Sequence, residues 1–352
     1  MKDVLTDLDA WTATGAQVAL GTVVGVKLSA PRPPGAKMAI NDRGEVTGAV
    51  SGGCVEGAVV EIARGVLEGD PPQLVTFGID DDEAWDVGLP CGGEITVWVS
   101  RHQHPEFARI AREGGRAALA TIVAGEGLGD TLLVRADGSF AGTLGTPELD
   151  AAARAAGDRL MWEERSEPIT VEGRQVFVDS VYPSPRIIAV GAVDFARQLC
   201  RVARALGWRP YVVDPRGFFS RADRFPEAEQ VVTAWPAEGF ATLGVDRATA
   251  IAILTHDPKL DDAALMAALD TDASYIGAMG SRRAQEVRLQ RLLDRGLTED
   301  AMERVAAPIG LDLGALTAEE TALSIMSEVI ALRHGRDGGR LKYASGRIHE
   351  VG

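Results

Sequence analysis

The sequence predicts an α/β protein of two domains. A mixed α+β domain is expected over residues 1–182, followed over 183–352 by a Rossmann-like domain with a doubly wound parallel sheet. Three observations predict it. At 352 residues the chain exceeds what one core usually organises, which sets an expectation of about two domains. The run YPSPR at 182–186 carries two prolines close together, which discourage helix and sheet ladder alike and read as a linker. Beyond it, strand-like runs alternate with amphipathic helical ones, the pattern of a parallel sheet covered by helices.

Element by element, QVALGTVVGVKL (17–28) alternates in polarity and is rich in β-branched residues, so it reads as a strand. A proline-rich turn (SAPRPPGAK) follows, then MAIND, the tight turn DRGE, and EVTGAVSGG, a hairpin feeding a helix that opens near Cys54. QLVTFG and EITVWVS are further short strands. The runs ALATIVAG, DTLLVRA and QVFVDSV between 117 and 181 read as a continuation of the same sheet. No internal repeat is evident, and the stretch near 151 stands out only for its alanines. In the second half RIIAVG leads into the helix VDFARQLCRVARALG. RPYVVD, EQVVTA, TAIAILT and ASYIGAMG are then strands with helices between them. A last helix begins at TAEE, where Thr317 and Glu320 form a capping box, and ends at Gly335.

Composition narrows the function. A net charge of −15 and a pI near 4.9 lack the basic footprint of a general nucleic-acid binder. Any anionic ligand must therefore be held by local arginines, lysines and helix N-termini. Three cysteines (54, 91, 200) form no CxxC pair, so neither a disulfide framework nor a zinc site follows. The start lacks an apolar signal core, and no apolar run approaches the roughly 18 residues needed to span a membrane. A cytoplasmic protein is expected, with neither membrane nor nucleic acid as partner. Exposed strand edges leave room for a homodimer.

Chemistry concentrates in two places. Cys54 lies in SGGCVEG (51–57), where a glycine turn opens a helix, and Cys91 lies in LPCGG (89–93). A thiol at a helix N-terminus feels the positive end of the dipole, which favours its thiolate, and Gly52 and Gly53 let backbone and ligand approach closely. In the second domain the first strand runs into GAVDFA (191–196), where a dinucleotide fingerprint wants G-x-G-x-x-G/A. Gly191 and Ala196 fit, but Val193 replaces the glycine that admits the pyrophosphate. Asp214, at the end of VVD, suits a ribose contact. His256 in THDPK and the run MGSRR, with Ser281, Arg282 and Arg283 at a helix start, lie at carboxyl ends of strands. The second forms an anion clamp of helix dipole and guanidinium forks. DDDEAWD (80–86) reads as a solvated acidic loop. His102 and His104 share a face at a strand end without a third metal ligand in reach. Cys200 lies on the apolar face of its helix and reads as core.

Taken together, PRPPGAKM (31–38), GAVSGGCVEGAVVE (48–61), FGIDDDEAWDVGLPCGGEI (77–95), VVDPR, LTHDPKLDD, YIGAMGSRR and PIGLDLGALTAEETALSI resemble the XdhC/CoxI family over nearly the whole chain. The resemblance implies a maturation factor for molybdenum hydroxylases such as xanthine dehydrogenase or CO dehydrogenase. Such a factor binds and protects molybdenum cofactor, supports its sulfuration with a cysteine desulfurase, and inserts it into the apo-enzyme. It implies Cys54 as the principal contact, including to molybdenum, with Cys91 next. A soft thiolate suits a metal already ligated by sulfur. Arg32 and Lys37, in the proline-stiffened loop, are then expected to neutralise phosphate. Where the family commonly reads G-A-G-H this chain reads GAVD, placing Val193 and Asp194 at the second glycine and the histidine. The alternative is an NAD(P)-dependent oxidoreductase using the Rossmann-like half. Against it stand Val193 and the lack of a recognisable acid–base pair beside a hydride acceptor. Sequence leaves open the client enzyme and the plain or cytosine dinucleotide form of the cofactor.

Overall fold

A computed structural model describes residues 1–27, 32–78 and 93–344. The chain divides between Pro183 and Ser184 into two compact units.

The first unit is built twice over from one plan. Helix α1 (Leu5–Ala13) leads to strands β1 (Val18–Lys27), β2 (Lys37–Asn41) and β3 (Val46–Gly48). Helix α2 (Glu56–Glu68) and strands β4 (Gln73–Phe77) and β5 (Glu94–Arg101) follow. The second half repeats the series: α3 (Pro105–Arg112), β6 (Ala117–Ala124), β7 (Thr131–Arg135), β8 (Phe140–Gly142), α4 (Pro147–Glu163), β9 (Glu167–Val171) and β10 (Arg174–Val181). The two antiparallel sheets have matching orders, β3-β2-β1-β5-β4 and β8-β7-β6-β10-β9. Registers match as well. Thr22 faces Lys37 and Trp98 on its neighbours, as Thr121 faces Thr131 and Phe177. Even the irregularity recurs, between Val23 and Gly25 on β1 and between Gln175 and Val176 on β10, where the partners are Ile122 and Ala124.

An internal duplication is therefore present where the sequence shows none. The strands after 117 form a second sheet rather than extending the first, and the alanine-rich stretch is the helix α4. Each half needs only an apolar alternation and one buried helix face, which many side chains satisfy, so the likeness survives in backbone after identity is gone.

Each sheet packs one face on its own helix. Val23, Met38, Ile40 and Val97 meet Val55, Val59, Ala63 and Val66 around α2. Ala120, Ile122, Val176 and Val178 meet Leu149, Ala153 and Leu160 around α4. The other faces carry two apolar clusters shared between the sheets, one around Leu20, Phe107, Leu119 and Leu133, the other around Val24, Trp98, Val123 and Phe177. Burying each such aliphatic side chain contributes about 1.5–3 kcal/mol.

The second unit comprises β11 (Arg186–Val190), α5 (Asp194–Ala205), β12 (Arg209–Val213), β13 (Gln230–Val232), α6 (Pro236–Leu243), β14 (Thr249–Ile253), α7 (Pro258–Leu269), β15 (Tyr275–Ala278), α8 (Arg282–Leu293), α9 (Glu299–Glu303), β16 (Val305–Ala306) and α10 (Ala318–Arg333). All neighbours run parallel, in the order β13-β12-β11-β14-β15-β16, which is that of a Rossmann fold. The short sixth strand, β16, escapes a sequence reading because two residues carry no periodicity. Helices α5 and α10 cover one face of the sheet, α6 and α7 the other. Cys200 is 1% exposed, and burial pushes its thiol up to about 12, as suits a core position.

The capping box at α10 forms. The Thr317 hydroxyl accepts the Glu320 N–H at 3.1 Å, and the Glu320 carboxylate accepts the Thr317 N–H at 3.1 Å. Thr317→Ala is expected to cost about 1 kcal/mol. A urea midpoint unchanged from that of the parent protein would refute this.

Candidate functional site

Cys54 does not begin the helix. It sits two residues before Glu56, the first residue of α2, in a turn made by Gly52 and Gly53 at φ +95° and +120°. Only glycine holds such angles without strain. The turn points a run of backbone N–H groups inward, and the chain's own Glu56 carboxylate fills that concavity. One carboxylate oxygen accepts from the amides of Val50 (3.2 Å), Ser51 (2.8 Å) and Gly52 (2.8 Å). The other accepts from the amides of Gly53 (2.8 Å) and Val55 (3.2 Å) and from the Ser51 hydroxyl (2.6 Å). The Ser51 oxygen in turn accepts the Cys54 N–H at 3.0 Å. Burial pushes the Glu56 carboxyl upward, but the donors from Ser51 and Gly52 outweigh it and hold the group at about 2.

This corrects the expectation that the helix N-terminus is reserved for the thiol. The amides there are already taken by an anion, and Cys54 is held beside them, half-buried against the core around α2. Glu56 was missed, although an acid in the first turn of a helix that follows a glycine turn is the signal for it.

The duplication supplies a comparison within the molecule. Gly48 and Gly142 end equivalent strands, Val50 and Leu144 follow at full burial, and Glu56 and Asp150 stand equally far on. Asp150 accepts the Leu144 N–H at 2.6 Å as Glu56 accepts that of Val50. Between them the halves diverge. The second has Thr146, whose hydroxyl caps α4 by accepting the Leu149 N–H, then Pro147 and Glu148. The first has Gly52, Gly53 and Cys54 instead. The second half is served at this position by an ordinary cap.

Lys37 is not a loop cation. It opens β2, is 2% exposed, and its Nζ lies 2.6 Å from the Asp179 carboxylate and 3.2 Å from the Thr22 hydroxyl. A lysine so paired has no free charge for a phosphate. Arg32 remains in its loop, paired with Asp3 beside a cavity of about 300 Å³ shared with Gly35 and Tyr182. Cys91 and the acidic run 80–86 lie outside the described residues.

In the second unit Asp214 is fully buried. Its Oδ2 accepts the Ala192 N–H at 2.7 Å, and its Oδ1 accepts the Arg216 N–H at 2.8 Å and guanidinium Nε at 2.9 Å. Burial raises this carboxyl, yet these donors prevail and keep it below the usual carboxylate value. Asp214 thus ties the first turn of the Rossmann fold to the second, and leaves no oxygen for a ribose hydroxyl. Gly191 donates to the Val213 carbonyl at 2.9 Å, within the same knot. His256, Ser281 and Arg283 line one cavity of about 420 Å³ together with Gly280, Arg288 and Arg291, whereas Arg282 is exposed outside it. Ser281 caps α8 by accepting the Ala284 N–H. Beneath, Arg288 is clamped by Asp261 at 2.7 Å and Arg291 by Asp262 at 2.8 Å, so Arg283 is the guanidinium of this cavity with no ion-pair partner among the described residues. Sequence reading missed these aspartates because pairing across helices leaves no local pattern. Among the described residues no three His, Cys, Asp or Glu side chains gather as a metal site. No helix among them is long and apolar enough to cross a membrane.

Residues 187–329 match the XdhC Rossmann domain, and residues 11–78 and 110–172 match the XdhC and CoxI family. The chain belongs to the XdhC/CoxI family. It is 27% identical over 340 residues to a protein of Bacillus subtilis described as a probable xanthine dehydrogenase subunit, covering 95% of this chain and 98% of that protein. It is 26% identical over 323 residues to the molybdenum cofactor insertion chaperone PaoD of Escherichia coli, covering 91% and 85%. Its fold is that of a crystal structure described as a xanthine dehydrogenase from Bacillus halodurans. The match has a TM-score of 0.64 at 23% identity and covers 97% of each chain. The two XdhC matches fall on opposite sides of the division at Pro183, and the first is interrupted over residues 79–109, which include β5.

Proposed function

We propose that this chain is a cytoplasmic maturation factor that carries molybdenum cofactor. It binds and protects the cofactor, supports its sulfuration with a cysteine desulfurase, and inserts it into a molybdenum hydroxylase of the xanthine or CO dehydrogenase type. The observation that carries the reading is the Gly52–Gly53–Cys54 turn, set where the duplicated half has an ordinary capped helix. The names borne by the Bacillus subtilis and Escherichia coli relatives support it. Cys54, with Cys91 beside it in role, offers a soft ligand to a metal already bound by sulfur. Arg32 in residues 1–182 and, in 183–352, the cluster of His256, Ser281 and Arg283 with Arg282 exposed outside it offer donors to the cofactor's phosphate end. The cofactor is cargo, so no acid–base pair is required. An NAD(P)-dependent reaction is disfavoured, because Asp214 is used up inside the fold and Val193 stands where the pyrophosphate would approach.

Anaerobic titration of the full chain with molybdenum cofactor, followed by gel filtration, should give pterin and molybdenum in stoichiometric amounts. Cys54→Ser is expected to reduce retained molybdenum at least tenfold, while Cys200→Ser retains it. Equal losses from the two variants would remove Cys54 from its role. NAD(H) binding in a parallel titration, without cofactor binding, would overturn the carrier reading.

A further inference from the structure

Between the two sheets of the first unit, on the face of β1 opposite Cys54 and reaching the last turn of α2 at Val66, lies a cavity of about 230 Å³. A water molecule takes about 30 Å³ of the liquid, so the space corresponds to about seven waters or one small ring. Its walls come from equivalent positions in the duplicated halves: Leu20 and Leu119, Thr22 and Thr121, Trp98 and Phe177.

A sandwich interior needs apolar filling, and at both ends of this interior the halves supply it. The middle is polar. The Lys37–Asp179 ion pair is there at 2% and 7% exposure, with the Ser166 hydroxyl 3.4 Å from Asp179. Taking two such charges out of water costs several kcal/mol that an apolar pair would not. Among the described residues the Ser100, Thr121 and Thr131 hydroxyls line the cavity with no hydrogen-bond partner, and the His102 and His104 imidazoles likewise. Burial, then the neighbouring imidazole and Lys37, hold His102 below its ordinary value. Burial and Lys37 do the same for His104 against the pull of Asp179. Both shifts favour the neutral ring, which carries one donor and one acceptor.

The formal charges of the side chains in the lining cancel, Lys37 and Arg101 against Asp70 and Asp179. An ionic ligand would leave one charge uncompensated in a confined space, and a purely apolar one would leave the hydroxyls and imidazoles without partners. A flat ring with donors and acceptors on its edge satisfies both the aromatic walls and the polar groups. We propose that this cavity is a binding site for a small uncharged heteroaromatic ligand, of the chemical class of a free nucleobase.

Adenine, cytosine and uracil titrated calorimetrically into the full chain test the assignment, with benzoate as an anionic ring of similar size. At least one base is expected to bind one-to-one with Kd below about 1 mM and at least tenfold more tightly than benzoate. Thr121→Val combined with Thr131→Val, which keeps shape and the ion pair, should weaken that base at least tenfold with Tm unchanged. Cys54→Ser should leave its binding intact. The assignment fails if no base saturates, if benzoate binds equally well, or if the double valine variant binds as the parent does. A loss of binding in Cys54→Ser would also overturn it, by moving the ligand to the other side of the sheet.

Discussion

Gly48→Ala is expected to destabilise the protein by about 3 kcal/mol or more, and Gly142→Ala by the same amount. Both glycines close the third strand of a duplicated half, at φ +77° and +94°. A methyl group on Gly48 would lie 2.3 Å from the Lys37 carbonyl oxygen, and one on Gly142 would lie 2.3 Å from the Thr131 carbonyl oxygen. The obstacle is backbone of the paired strand, so relief requires breaking the ladder that sets the hairpin register. Gly44 isolates the conformational part of the cost: it sits at φ +81° with nothing within 4 Å of the added methyl. Gly44→Ala should therefore cost only about 1 kcal/mol. Chemical unfolding of the three variants decides the matter, and similar losses at 44 and 48 would show that close approach plays no part.

Glu56→Gln should lower stability by about 2 kcal/mol and, under the reading of Cys54 as the cofactor contact, reduce cofactor retention with it. A glutamine offers one acceptor oxygen where two charged ones take five amides and a hydroxyl. Its NH₂ group would also face amide donors, so the glycine turn loses its centre and the thiol its position. The effect carries a pH signature. The Glu56 carboxyl is held at about 2 against an ordinary 4.5, so its contribution is fully present above about 4.5. It is lost as pH falls from there towards 2, where the folded form also takes up the proton. The difference between parent and variant should therefore be constant near neutrality and shrink over that acid range. A difference that stays flat down to pH 2 would mean the carboxylate is not what organises the turn. Retention unaffected in a folded Glu56→Gln protein would separate the turn from cofactor binding.

Much of the second unit could be read along the chain. Its strands are short apolar runs whose partners are set by the alternation with helices, and the capping box at Thr317 is a contact between residues three apart. Cys200 could be placed by helical periodicity alone. Such features depend on neighbours in sequence, where periodicity and propensity act directly. The first unit resisted for the opposite reason. Its strands were legible, but whether β6, β7 and β10 joined the first sheet or made another depends on pairing across the chain, which leaves no local trace. Lys37 shows the consequence. In sequence it follows a proline turn and reads as an exposed cation, whereas its partner Asp179 lies on β10 in the other half.

The α/β class, the break near 183, the family, and Cys54 in its glycine turn could all be read from the chain, since each rests on residue types at short spacing. The duplication of the first unit, the Glu56 carboxylate that fills the turn, the consumption of Asp214 within the fold, and the polar cavity between the two sheets came only with the folded molecule. Those outcomes depend on which buried donors meet which acceptors. Once water is excluded, that pairing is imposed by the fold as a whole.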